Sequence, residues 1–140
     1  FTGRVKLAEY FDQIDVLVLT SISEAQPLVI LEAGAHGIPV VATNVGACAE
    51  MIHGRSDEQP NLGTAGVVTP LANPLATAEA LYRLLTDEEF YQRCSRTIRQ
   101  RIVRYYNKTS LDHAYRELYD GLRTAPRSQG TAGQIPTRVA

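Results

Sequence analysis

The 140 residues contain no tryptophan, one methionine, three phenylalanines and two cysteines. Cys48 and Cys94 are too few and too far apart for a zinc pattern or a disulfide framework, and fit free, packed thiols in a reducing cytosol. Neither sign of charge is in excess: 14 Lys and Arg stand against 15 Asp and Glu, a net charge of -1. Without a polybasic block there is no electrostatic footprint for nucleic acid or an anionic surface, and nucleic acid is not expected as a partner. No apolar run approaches the ~20 residues that span a bilayer, and the start lacks the order of a signal peptide. No acidic cluster or His pair argues for a metal, and His53 and His113 have no companion acid or nucleophile at a suggestive spacing. Neither a metal nor a cofactor is therefore expected.

With 44% hydrophobic and 21% charged residues, the chain has enough apolar material for one compact domain. It opens on Phe1 within FTGRV, which already reads as strand and turn, so a fragment of a longer protein is expected. Leu7, Tyr10, Phe11 and Ile14 take the spacing of one helical face and predict a short helix over 7–14. The run DVLVLT, 15–20, has the composition of a strand buried on both faces of a parallel sheet. Pro27 suits a first helical turn, and Gly37 closes that helix before Pro39. A second buried strand over 38–43 completes a βαβ unit.

Further elements follow in order: a short helix over 47–53, the irregular stretch GRSDEQPNLG, a strand over 66–69, and helices over 74–85, 87–106 and 110–122. On the second of these helices Phe90, Tyr91, Cys94, Ile98, Ile102 and Tyr105 form the expected buried stripe, and Arg96, Arg99, Arg101 and Arg104 a solvated face. The expected fold is a doubly wound α/β domain over 1–123 with a parallel sheet and C-terminal helices. The tail, 124–140, is rich in Pro, Gly, Ser, Thr and Gln and is expected to be disordered.

Sheets of this kind bind ligands beyond the carboxyl ends of their strands, which points to the loops 21–26 and 44–47. Between those strands Glu32 stands in a stretch of apolar and small residues, and an ionised carboxylate buried there would need partners. If the helix starts near Pro27, the N–H groups of Leu28 and Val29 are free to hold a phosphate, helped by the helix dipole. Glu32, four residues past Leu28, then lies about 6 Å further along the same face, close to the offset between a nucleotide's diphosphate and its ribose. A carboxylate accepts two hydroxyl donors well, so Glu32 suits the ribose 2′ and 3′ oxygens. Glu24, in the loop before the helix, would face the other side of the phosphates.

The two glutamates, together with SISE, LEAGAHGIPVVAT, Gly46, Glu50 and GVVTP in that order, resemble the retaining family-4 glycosyltransferases of the GT-B fold and their E-x7-E signature. The resemblance covers about 1–85 and implies a Rossmann-like donor-binding domain. It also implies Glu32 on the ribose, the backbone of Leu28 and Val29 with Gln26 and Pro27 at the diphosphate, and Glu24 on the donor sugar as the catalytic carboxylate. Main-chain contacts from Arg4 or Val5 to uracil are implied by FTGRV. Gly46 could serve ligand contact or close packing. Many members carry Gly-Phe-Gly after the first Glu, where this chain has Ala25-Gln26-Pro27.

TSISEAQPLVILEAG, VGACAEMI and the GRSDEQPNLG insertion are similar to the PelF-type enzymes of Pel exopolysaccharide synthesis. That similarity implies a UDP-hexose donor, UDP-glucose first, and a glycan or polysaccharide acceptor. Further partners implied are an acceptor domain upstream in the same protein and a membrane-bound synthesis complex, with the protein cytoplasmic or peripheral at the inner membrane. Transfer would retain the anomeric configuration, the phosphate leaving group being stabilised by helix N–H groups and cations. Two alternatives stand beside this: a GT-B epimerase or phosphorylase, and a non-catalytic nucleotide-binding or interaction module. For Glu32 the plain alternative is a locally paired structural carboxylate, and for Glu24 an exposed loop acid.

Overall fold

A computed structural model of the chain describes residue 3 and residues 5–124. The chain divides into two units, Phe1–Asn107 and Lys108–Ala140. The first holds a parallel three-stranded sheet of β1 (Leu17–Leu19), β2 (Val40–Thr43) and β3 (Gly66–Thr69) in the order β1-β2-β3. Its helices are α1 (Leu28–Ala35), α2 (Cys48–His53), α3 (Pro74–Thr86) and α4 (Glu88–Tyr105). This is the α/β architecture expected from the alternation of strand and helix patterns. The second unit contributes α5 (Lys108–Thr124), an amphipathic helix with Leu111, Tyr115, Leu118 and Leu122 along one exposed side. The expected tail, apart from Thr124 at the end of α5, lies outside the described residues.

Successive residues of β2 point to opposite faces and so build two cores. Val40 and Ala42 pack with Ile30 of α1, Met51 and Ile52 of α2, and Ile98 and Ile102 of α4. On the other side Val41 packs with Ala80 and Leu84 of α3 and with Phe90 and Cys94 of α4. Helix α4 therefore serves both faces. Its start is set by the Asp87 side chain, which accepts the Phe90 N–H, and α3 is capped in the same way by Asn73 on Ala76.

Four expectations change. The helix over 7–14 is two 3-10 turns, Leu7–Glu9 and Phe11–Gln13, joined at Tyr10. Phe11 is the one buried side chain of the two turns, so little apolar burial supports a continuous helix there. The strand β1 pairs on one side only among the described residues and leaves Val18 39% exposed, so it is half-buried and not sandwiched on both faces. On α4, Tyr91 and Tyr105 are only partly buried, and Thr97 and Arg101 join the buried stripe instead.

Arg101 is the largest change. Expected on a solvated face, it is 1% exposed and donates Nε to Glu58 Oε2 (2.7 Å), Nη2 to Glu58 Oε1 (2.9 Å), Nη1 to Ile52 O (2.8 Å) and Nη2 to Gly63 O (2.5 Å). These bonds clamp the GRSDEQPNLG loop onto α4. Thr97 and Tyr105 add hydroxyl bonds to Leu62 O and Gln59 O. A helical wheel places Arg101 beside Cys94 and Ile98, but only the folded loop supplies the carboxylate that lets it be buried.

Candidate functional site at the strand ends

Helix α1 begins where β1 has ended, because Pro27 holds an extended ψ of 113° and supplies the N-cap position. Pro27 thus sits one place before the first helical turn. Its carbonyl accepts the Ile30 N–H at 3.1 Å, and no side chain caps the helix. The N–H groups of Leu28 and Val29 have no hydrogen-bond partner among the described residues. Two donors at the positive end of a helix, next to the carboxyl ends of the strands, form an anion seat made of backbone alone.

The inner face of α1 is set by Ile30, Ala33 and Gly34, all buried. Gly34 lets α1 approach α4 closely: a Cβ there would meet Ile98 Cγ1 at 2.6 Å and Ile102 Cγ1 at 2.9 Å. That contact turns the opposite side outward, with Leu28 66% exposed and Glu32 exposed one turn beyond it. The expectation of a buried Glu32 in need of partners is therefore corrected, since its apolar sequence neighbours face inward while it faces out. The carboxylate has no protein partner among the described residues and is open to a ligand. At the C-terminal end His36 takes the cap position and stacks on Phe11 with ring centroids 4.6 Å apart.

Glu24 is half-buried in the loop between β1 and α1, with Gln26 exposed and Pro27 buried beside it. That loop lies directly on the one that follows β2. The Ala47 N–H donates to Ala25 O at 2.9 Å, and the Thr43 hydroxyl donates to Ser21 O at 2.5 Å. Gly46, at φ +50°, lies so close that a Cβ would overlap Glu24 O and Ala25 O. The thiol of Cys48 is pushed up by burial and secondarily by the negative charge of Glu24, which places that carboxylate near the start of α2.

Glu24, Gln26, Pro27, Leu28, Val29 and Gly46 are thus gathered at the strand ends, with Glu32 one helical turn away. Val5 is 37% exposed, and Arg4 lies outside the described residues. Thr43 lay outside the loops expected from the sequence, and Ala47 lay within one of them but without its role in holding the other. Thr43 had looked like the last residue of an apolar strand, and the main-chain bond of Ala47 carries no sequence signal. Beside the same strand ends a cleft of about 480 Å3 is lined by Thr20, Ile22, Thr43, Asn73, Thr77 and Leu81. Among the described residues no three His, Cys, Asp or Glu side chains converge as metal ligands. No helix among them is long and apolar enough to cross a membrane.

An open parallel sheet with an uncapped helix start beyond its strand ends defines the class of α/β domain whose general ligand position is that edge. The family model for group 1 glycosyl transferases matches residues 1–87, and the chain belongs to that family.

Among curated relatives, a D-inositol 3-phosphate glycosyltransferase from Corynebacterium urealyticum is 32% identical over 136 residues, covering 96% of this chain and 30% of the relative. Another of the same name, from Paenarthrobacter aurescens, is 43% identical over 82 residues, covering 59% of this chain and 18% of the relative. An N-acetyl-alpha-D-glucosaminyl L-malate synthase from Bacillus anthracis is 27% identical over 120 residues, covering 85% of this chain and 29% of the relative. Among solved structures, sucrose-phosphate synthase from Thermosynechococcus elongatus superposes with a TM-score of 0.77 at 28% identity, covering 90% of this chain and 30% of that one. The fold is thus the GT-B type expected from the sequence. The chain spans less than a third of the length of each of these proteins.

Proposed function

We propose that this chain provides the donor grip of a hexosyltransferase that takes its sugar from a UDP-sugar, UDP-glucose first, and transfers it with retention of configuration. The observation that carries the reading is the outward-facing Glu32 one turn beyond the unpartnered N–H groups of Leu28 and Val29. The diphosphate sits at that helix start, with Gln26, Pro27 and Gly46 around it, and its charge is offset in part by the helix dipole, worth about half a positive charge, with cations from elsewhere in the protein supplying the rest. Glu32 takes the ribose hydroxyls, and the main chain at Arg4 or Val5 takes the base. Glu24, across the phosphates, meets the transferred sugar and is the catalytic carboxylate of the site. The grip needs no metal, because the leaving phosphate is held by N–H groups.

The domain so proposed runs over 1–123, with 124–140 as a tail. Completing the enzyme requires an acceptor-binding portion across the cleft. The acceptor is a glycan or polysaccharide, with Pel-type exopolysaccharide synthesis, at or near the inner membrane, as the setting that the GRSDEQPNLG loop favours. The names of the relatives add hydroxylated small acids to the acceptors worth assaying, inositol 3-phosphate and malate among them.

Calorimetric titration of UDP into the wild-type chain and into Glu32→Ala tests the reading. A carboxylate accepting two ribose hydroxyls contributes roughly 1.5–3 kcal/mol, so the variant should bind UDP ~10- to 100-fold more weakly. No UDP affinity in the wild type would point instead to a non-catalytic interaction module, and equal affinity in the variant would remove Glu32 from the site.

A further inference from the structure

The loop that carries Glu24 has no hydrogen bond between its own main-chain groups, 20–26, among the described residues. What holds it comes from the end of β2. The Thr43 hydroxyl, on a side chain 4% exposed, donates to Ser21 O at 2.5 Å and approaches Leu19 O at 3.5 Å, tying down the entry of the loop. The Ala47 N–H holds the exit through Ala25 O. Between these two points the Glu24 carbonyl rests on the Cα of Gly46, where no side chain would fit. A half-buried carboxylate on an otherwise unbraced loop is thus located by three contacts from one neighbouring segment, 43–47.

We infer that Thr43 and Gly46 are positioning residues for Glu24: they form a cradle that aims its carboxylate at the donor sugar without touching the nucleotide themselves in the case of Thr43. The inference rests on the proposed role of Glu24 and makes that role dependent on a buried hydroxyl. Thr43→Val removes the donor while keeping the branched shape of a strand residue, whereas Thr43→Ser keeps the donor. Gly46→Ala drives a methyl group into the Glu24 and Ala25 carbonyls and meets the added strain of a positive φ.

The test measures binding of UDP and of UDP-glucose to the wild-type chain, Thr43→Val, Thr43→Ser and Gly46→Ala, together with hydrogen exchange of the Ala47 amide, whose N–H holds Ala25 O. In Thr43→Val the UDP affinity should stay within about twofold, because Leu28, Val29 and Glu32 lie on α1. The ratio of UDP-glucose to UDP affinity should fall roughly tenfold, the scale of one lost hydrogen bond to a charged group. Thr43→Ser should restore the ratio, Gly46→Ala should lower it, and exchange of the Ala47 amide should quicken in Thr43→Val alone of the two Thr43 variants. An unchanged ratio in Thr43→Val, or an equal loss for both ligands, overturns the inference. Should the wild type bind neither nucleotide, the donor reading falls on its own. Exchange of the Ala47 amide that Thr43→Val leaves unchanged then overturns the cradle separately.

Discussion

Two ion pairs lie in the GRSDEQPNLG loop, and burial decides which one matters. Arg55 and Asp57 are 54% and 67% exposed in their side chains, so water screens the pair and its loss should leave the unfolding midpoint unmoved. Arg101 and Glu58 are 1% and 4% exposed, and the guanidinium also serves two carbonyls. Arg101→Met keeps much of the apolar stem but strands the Glu58 carboxylate with the Leu62 N–H as its one remaining donor among the described residues. Breaking a buried pair from one side costs about 3–5 kcal/mol, against a total stability of about 5–15 kcal/mol for a domain. Arg101→Met should therefore lower the urea midpoint steeply, and Arg101→Met with Glu58→Leu should recover most of the loss, since neither charge is then buried alone.

Acid adds a second signature. The hydrogen bonds from Arg101, opposed by burial, hold the Glu58 carboxyl below the usual carboxylate range. A depressed carboxylate contributes stability above its unfolded value of about 4.3, and that contribution is lost as pH falls through the folded value. The gap between wild type and Arg101→Met should thus be full at neutral pH and narrow as pH falls, first as the stranded, buried carboxyl of the variant protonates and then as the depressed wild-type carboxyl does. Far-UV circular dichroism in urea at several pH values measures both effects. A gap under about 1 kcal/mol at pH 7, or one that does not shrink in acid, would refute the reasoning.

Other outcomes are expected from the same coordinates. Gly34→Ala should destabilise by about 1–3 kcal/mol in urea unfolding despite the better helix propensity of alanine, because the methyl group meets Ile98 and Ile102. Burial pushes the Cys94 thiol up to about 11 and raises that of Cys48 as well, so neither should react with a disulfide reagent at pH 8 until the chain is unfolded. The chain alone, spanning less than a third of its relatives, should release no UDP from UDP-glucose in a coupled assay, and turnover by it would contradict the assignment of the acceptor side to another segment.

Periodicity and punctuation were enough for the α/β order, for β3 at its observed bounds, and for helices that end within about two residues of their expected limits. They were enough because each of these signals is local: an aliphatic run, a Pro at a helix start, a Gly at a helix end. The E-x7-E spacing likewise placed Glu24 in a loop and Glu32 on a helix. What the spacing could not decide was facing. The apolar neighbours of Glu32 suggested burial, and only the packing of Gly34 against Ile98 and Ile102 turned it toward solvent.

Arg101 shows the reverse, a charge on a seemingly solvated helix side drawn inward by a carboxylate 43 residues away in sequence. Thr43 and Gly46 belong with it, since their contacts to Ser21 and Glu24 join segments that are adjacent only after β1 and β2 have paired. The sequence alone named the residues proposed to hold a nucleotide. Tertiary structure decided which way they point and what holds them still, because direction and support depend on distant segments that no local pattern encodes.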